Sequence, residues 1–110
     1  MKILAIETSC DETAASVVQS SGNLEQPDFK VLAQVVSSQI AIHQPFGGVV
    51  PNLAKREHIK NLPLALDQAL TKSQISSAEI SGVAVTVGPG LEPALWVGIN
   101  FGQELAQKWD

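Results

Sequence analysis

The first forty residues show three apolar runs separated by short polar breaks. Lys2-Ile3-Leu4-Ala5-Ile6 is almost continuously apolar and stops at Glu7, the pattern of a strand buried on both faces. Thr13 to Ser20 carries Ala14, Ala15, Val17 and Val18 and ends at Ser21-Gly22-Asn23, which predicts a strand paired antiparallel with the first across a turn at Ser9 to Glu12. A polar loop around Pro27 and Asp28 is then expected before a third β-rich run, Lys30 to Ser38, with Val31, Leu32, Ala33, Val35 and Val36. Three such runs in succession predict a meander.

From Pro51 the period changes. Ile59, Leu62, Leu66, Ala69 and Leu70 fall on one helical stripe opposite Lys60, Asp67 and Lys72, so an amphipathic helix is expected from about Pro51 to Lys72. Pro51 suits a first helical turn, whereas Pro63 lies inside the pattern and predicts a kink near Asn61. Ser76 and Glu79 have the spacing of a capping box and predict one short helical turn before a fourth strand, Val83 to Val87. Gly88-Pro89-Gly90 forces a turn, and from about Pro93 to Lys108 the chain reads as a mostly buried helix. Along it Ala94, Gly98, Gly102 and Ala106 recur every fourth residue. Each glycine costs about 1 kcal/mol of helix propensity against alanine, so the ridge predicts close packing on a neighbouring element. The expected order is β-β-β-α-β-α in a single domain spanning residues 1–110.

Composition narrows the functional classes. With 45% hydrophobic and 16% charged residues the chain has a core to bury and is no disordered tail. Its net charge of -4 argues against an unaided nucleic-acid surface, though not against RNA held together with another domain or subunit. A single cysteine, Cys10, excludes an internal disulfide and a cysteine-rich zinc ribbon and fits a reducing compartment, so the cytoplasm is expected. The run Ile3 to Ile6 is too short for a signal-peptide core, and no apolar stretch approaches the ~20 residues of a membrane helix.

Four motifs occur in order: Glu7-Thr8-Ser9-Cys10-Asp11-Glu12-Thr13; His43 with Phe46-Gly47-Gly48-Val49-Val50-Pro51; Arg56-Glu57-His58; and Thr86-Val87-Gly88-Pro89-Gly90-Leu91. Together they resemble the TsaD family of tRNA threonylcarbamoyladenosine transferases, long called O-sialoglycoprotein endopeptidases or glycoproteases. The resemblance covers the chain from Lys2 through the final helix. It implies an α/β fold, a half-domain of the actin, sugar-kinase and Hsp70-like ATPase (ASKHA) type with a mixed sheet. It also implies that the complete enzyme transfers threonylcarbamoyl from its adenylate to the adenosine next to the anticodon. Family members are longer and two-lobed, so the chain is expected to be an N-terminal lobe, inactive alone. Asn52, and Glu92-Pro93-Ala94 after the glycine turn, depart from the residues common in relatives and suggest a divergent member.

The resemblance makes Asp11 and Glu12 the candidate catalytic residues, for substrate positioning or proton handling, and Thr8, Ser9, Gly88 and Gly90 the candidate substrate-binding residues. Read by themselves, Ser9, Asp11 and Thr13 could equally satisfy the backbone of a turn. Gly88-Pro89-Gly90 offers amides ahead of a helix, but it is neither a Walker A loop nor a Rossmann fingerprint, and Glu92 would repel an anion there. Cys10, beside Asp11 and Glu12, is expected to pack or turn rather than attack.

The family's metal ion, iron or zinc, is implied to be bound through residues beyond Asp110, and no cofactor is expected on this lobe. His43 and His58 do not match the family's metal-binding pair and are expected to be surface or capping residues. No His-Glu-x-x-His helix or serine or cysteine triad supports a peptidase. The implied partners are a TsaB-like paralogue docking on the lobe's helices, tRNA only in the full-length complex, and no membrane. A homodimer through the uncovered apolar face is also expected. A non-catalytic interaction module and an ATP-binding lobe are the other readings.

Overall fold

The computed structural model describes residues 1–109. Strands β1 (Lys2–Glu7), β2 (Glu12–Gly22) and β3 (Pro27–Ser38) are followed by helices α1 (Ile40–His43) and α2 (Pro51–Ser73), strand β4 (Gly82–Val85) and helix α3 (Glu92–Trp109). The sheet order is β3-β2-β1-β4, with antiparallel β1–β2 and β2–β3 pairs and a parallel β1–β4 pair. The expected β-β-β-α-β-α order and mixed sheet are present.

Side-chain alternation on the strands fixes which face is covered. Leu4 and Ile6 on β1, Ala15 and Val17 on β2 and Val35 on β3 share one face and join Leu62, Ala65, Leu66 and Ala69 of α2 and Val97 and Leu105 of α3 in the core. Helix α2 lies over β2 and β3, and α3 over β1 and β4. The glycine ridge explains how α3 comes so close. A Cβ on Gly98 would lie 2.6 Å from Thr8 Oγ1, and one on Gly102 would lie 2.6 Å from Val85 Cγ2. Ala94 continues that contact and is fully buried, but Ala106 is exposed, so the expected ridge ends one turn early.

Several boundaries differ from the sequence expectation. Pro27 and Asp28 are not in a loop: they open β3 opposite Gly22 and Ser21. The turn is Asn23 to Gln26, where Asn23 Oδ1 accepts the amides of Glu25 and Gln26 at 3.0 and 2.8 Å and Gly22 supplies a φ of 81°. A register shift between Val17 and Val18 leaves Leu32 without a cross-strand partner. Strand β4 stops at Val85, opposite Ile6, so Thr86 and Val87 lie outside it, with the Thr86 amide still reaching Ile6 O at 3.1 Å. Pro63 lies inside α2 without splitting it, and Ile59 departs from the buried stripe, standing 55% exposed. Residues 40–46 form α1 and a following 3-10 turn. The Ser76–Glu79 box is present, with the Ser76 amide donating to Glu79 at 2.9 Å ahead of a 3-10 turn. Among the described residues no helix is long and apolar enough to cross a membrane.

Candidate functional site

Because β1 and β4 run parallel, the loops that follow them, 8–11 and 86–91, leave the sheet at the same end. Ligand crevices of open α/β sheets form at such strand ends. The Leu91 amide donates to Ser9 O at 2.8 Å, and a Cβ on Gly90 would lie 2.7 Å from that same oxygen. Glycine at 90 is therefore what lets the two loops touch. Gly88 is exposed, and a Cβ there would meet nothing within 4 Å, so packing gives no reason for it.

Strand alternation carries on into the loop and sorts its side chains. Thr8 and Thr13 point to the helix side and are completely buried, whereas Glu7 is half-buried and Glu12 exposed. Thr8, expected as a substrate contact, is held inside the fold. Its hydroxyl donates to Ala94 O at 2.7 Å and accepts the Gly98 amide at 3.1 Å, sitting between the two groups that an α-helix bonds to each other. Thr8 thus locks β1 to α3. Ser9 is half-buried; its amide and hydroxyl both donate to the Glu7 carboxylate, at 2.6 and 3.0 Å. Asp11 and Glu12 stand beside Glu7, Ser9 and Cys10 around a small cleft of about 190 Å³. A second cleft of about 350 Å³ lies on the other side of Asp11, walled by His43, Gln44, Gly47 and Gly48. Asp11 is the residue the two clefts share.

Burial, and then the neighbouring Asp11, Glu7 and Glu12 carboxylates, push the Cys10 thiol above its ordinary value. A thiolate nucleophile is disfavoured there, and the contribution of Cys10 to the loop is its backbone carbonyl.

That carbonyl leads to residues whose role was not anticipated. His43 and His58 are not surface groups: they are 3% and 0% exposed. His58 Nε2 donates to Cys10 O at 2.9 Å, and because a carbonyl only accepts, the ring carries its proton on Nε2. The bare Nδ1 accepts the Thr13 hydroxyl at 2.7 Å and faces the Gln39 amide nitrogen at 3.4 Å. Gln39, also fully buried, accepts His43 Nε2–H at 2.8 Å, and its amide nitrogen lies 3.4 Å from Ala54 O. The Val50 amide, just ahead of α2, donates to His43 Nδ1 at 3.1 Å. Burial holds His58 below its ordinary value, although the Cys10 carbonyl and the Glu7 and Asp11 charges oppose that fall.

With all four ring nitrogens engaged inside the fold, the two histidines are not free to ligate. Among the described residues no group of three His, Cys, Asp or Glu side chains is placed to hold a metal ion.

The mixed sheet and its helices have an α/β fold of the ASKHA type. Over 98% of its length the chain is similar to the solved structure of YeaZ from Pseudomonas aeruginosa, of which it covers 39%, with a TM-score of 0.65 at 17% identity. Residues 30–110 match the family model described as TsaD: tRNA N6-adenosine threonylcarbamoyltransferase, and the chain belongs to that family. It is 48% identical over 108 residues to the tRNA N6-adenosine threonylcarbamoyltransferase of Thermosipho melanesiensis, and 52% identical over 106 residues to that of Trichlorobacter lovleyi. Those matches take in 98% and 96% of this chain but 31% and 29% of the relatives, so the chain spans about three tenths of their length.

Proposed function

We propose that this chain forms one lobe of a tRNA threonylcarbamoyltransferase, in which the loop from Thr8 to Glu12 is one wall of a cleft completed by a second lobe. The observation that supports it is the convergence of the loops after parallel strands β1 and β4, joined by the Leu91–Ser9 hydrogen bond, in a chain of this family. Asp11 and Glu12 are placed to orient the threonylcarbamoyl adenylate or the attacking adenosine amine and to handle the proton it loses. Ser9, Gly88 and Gly90 approach the substrate by backbone and hydroxyl, while Thr8 serves by holding β1 to α3. With one wall only, the chain is inactive by itself. The test is a chimaera in which residues 1–108 replace the matching segment of the Thermosipho melanesiensis relative, assayed for threonylcarbamoyl transfer to tRNA. Transfer by the chimaera and none by the lobe alone is expected; a chimaera that folds, binds tRNA and transfers nothing overturns the reading.

A second reading rests on a separate observation. Helices α2 and α3 border a groove of about 570 Å³ lined by Lys55, Ile59, Trp96, Phe101 and Glu104, and Ile59 and Trp96 are 55% and 51% exposed at its edge. An apolar groove between two helices suits a helix of a TsaB-like partner, or of a second copy in a homodimer. Sedimentation of the lobe alone and with such a partner decides it: a monomer that binds nothing removes this role.

A further inference from the structure

The loop that carries Asp11 and Glu12 is gripped at two adjacent carbonyls. His58 Nε2–H holds Cys10 O at 2.9 Å, and the Gln39 backbone amide holds Asp11 O at 2.8 Å. His58 and Gln39 belong to one buried relay that reaches on through His43 to the Val50 amide, so the loop, the segment around the second cleft and the start of α2 are tied together.

The relay has a direction. Each imidazole donates from Nε2 and accepts at Nδ1, and Gln39 accepts from His43 on one side while its NH2 group faces His58 and Ala54 O on the other. A proton added to His58 Nδ1 finds one acceptor, the Thr13 oxygen, and only if that hydroxyl turns its own hydrogen away. It also faces the Gln39 NH2 group at 3.4 Å. Turning the Gln39 amide over would bring its NH2 against His43 Nε2–H and lose the approach to Ala54 O. The neutral ring is thus the form that the surrounding donors and acceptors fit, and an unmatched buried donor is costly.

We propose that His58 is a positioning residue: through its Nε2–H it fixes the Cys10–Glu12 backbone to helix α2, a bond that protonation does not remove, and a proton gained at Nδ1 shifts the loop by disturbing the Thr13 and Gln39 side of the relay. This deepens the reading above and rests on it for the loop's functional meaning. The charged or titratable groups facing His58 are Glu7 from β1, Cys10 and Asp11 from the loop and His43 from α1. Burial and His43 oppose the protonated ring, and the Cys10 carbonyl and the two carboxylates favour it.

The test follows backbone amides and imidazole nitrogens of the 110-residue chain by NMR from pH 8 to pH 5. The His58 ring is expected to show the Nε2–H tautomer at pH 8, and the amides of Cys10, Asp11 and Glu12 to shift together with its protonation. His58→Gln keeps a donor and an acceptor without a titratable proton, so its loop amides should hold their pH 8 positions throughout. Thr13→Val removes both the donor to the neutral Nδ1 and the one acceptor of its added proton, and should move the midpoint of the shared transition. Loop amides that stay still while His58 titrates, or that move equally in H58Q, overturn the proposal. Should His58→Leu fail to fold, H58Q and T13V still decide. In the chimaera, H58L is expected to lower kcat, with H58Q restoring it. Turnover indifferent to both H58L and Asp11→Asn would sink the site reading while leaving the loop coupling intact. Turnover lost in D11N but normal in a folded H58L would sink the positioning role alone.

Discussion

The two ends of the sheet hold their turns in opposite ways. At the β2–β3 tip, residues 21–31 are all exposed, Leu24 completely so, and the turn is closed by Asn23 bonding residues two and three positions on. At the other end the Thr8–Glu12 turn has the local Glu7–Ser9 bonds but is held in place by distant residues: Ala94 and Gly98 on Thr8, Leu91 on Ser9, His58 on Cys10 and Gln39 on Asp11. Both turns look polar in sequence. The tip is a local solution that can fray without loss to the core, whereas the loop end is a junction where α1, α2, α3 and the β4–α3 loop all take hold. A candidate site belongs at the junction, since a catalytic group must be held by rigid elements around it.

The largest effect should come from Gly98. Alanine there regains about 1 kcal/mol of helix propensity, yet its Cβ would sit 2.6 Å from the buried Thr8 hydroxyl. Overpacking of about 1–3 kcal/mol and a lost buried hydrogen bond outweigh that gain. Gly98→Ala should therefore destabilise the chain by about 2 kcal/mol in urea unfolding; a stabilised G98A would show that α3 does not rest on the loop as described.

Next comes pH. His58 is held below about 6.5 in the folded state, so the unfolded chain takes up its proton first as pH falls. The stability it contributes is complete above about 6.5 and lost as pH drops toward the folded value, with a slope of at most about 1.4 kcal/mol per pH unit. Unfolding midpoints at pH 7.5 and 5.5 should show the fall, and H58Q should lose that part of it; an identical fall in H58Q contradicts the assignment.

At the tip the same kinds of change should matter little. Asn23→Ala should cost about 0.5–1 kcal/mol, and Leu24→Ser should stay within about 0.5 kcal/mol. A tip variant that cost as much as G98A would erase the contrast between the two ends.

What was legible in the sequence follows the same division. Local signals gave the strands, the α2 start at Pro51, the Ser76–Glu79 box and the α3 glycine ridge, because each depends on neighbours within a turn or two. The third strand starts three residues before its apolar run because an outer strand tolerates proline at its first position, although Pro27 and Asp28 suggest a loop. The buried relay is hidden from local patterns because its bonds join residues far apart in the chain, and polar side chains read singly suggest a surface. Two signals pointed to it. Ala54, His58, Leu62, Leu66 and Ala69 form a stripe at helical spacing that places His58 in the core. Strand alternation carried past Ile6, and back from Ala15, places Thr8 and Thr13 on the covered face. The acidic loop was found through family resemblance, not periodicity, since turn-forming residues alone have a purely structural explanation.

The most direct measurement of the central claim is the rate of threonylcarbamoyl transfer to tRNA by the chimaera carrying Asp11→Asn and Glu12→Gln together, with tRNA binding and unfolding followed in parallel. If the loop is a wall of the active site, kcat should fall at least about 100-fold, the scale of a lost proton-handling group, with the unfolding midpoint and tRNA affinity unchanged. A folded, tRNA-binding double variant that turns over like its parent would contradict the account.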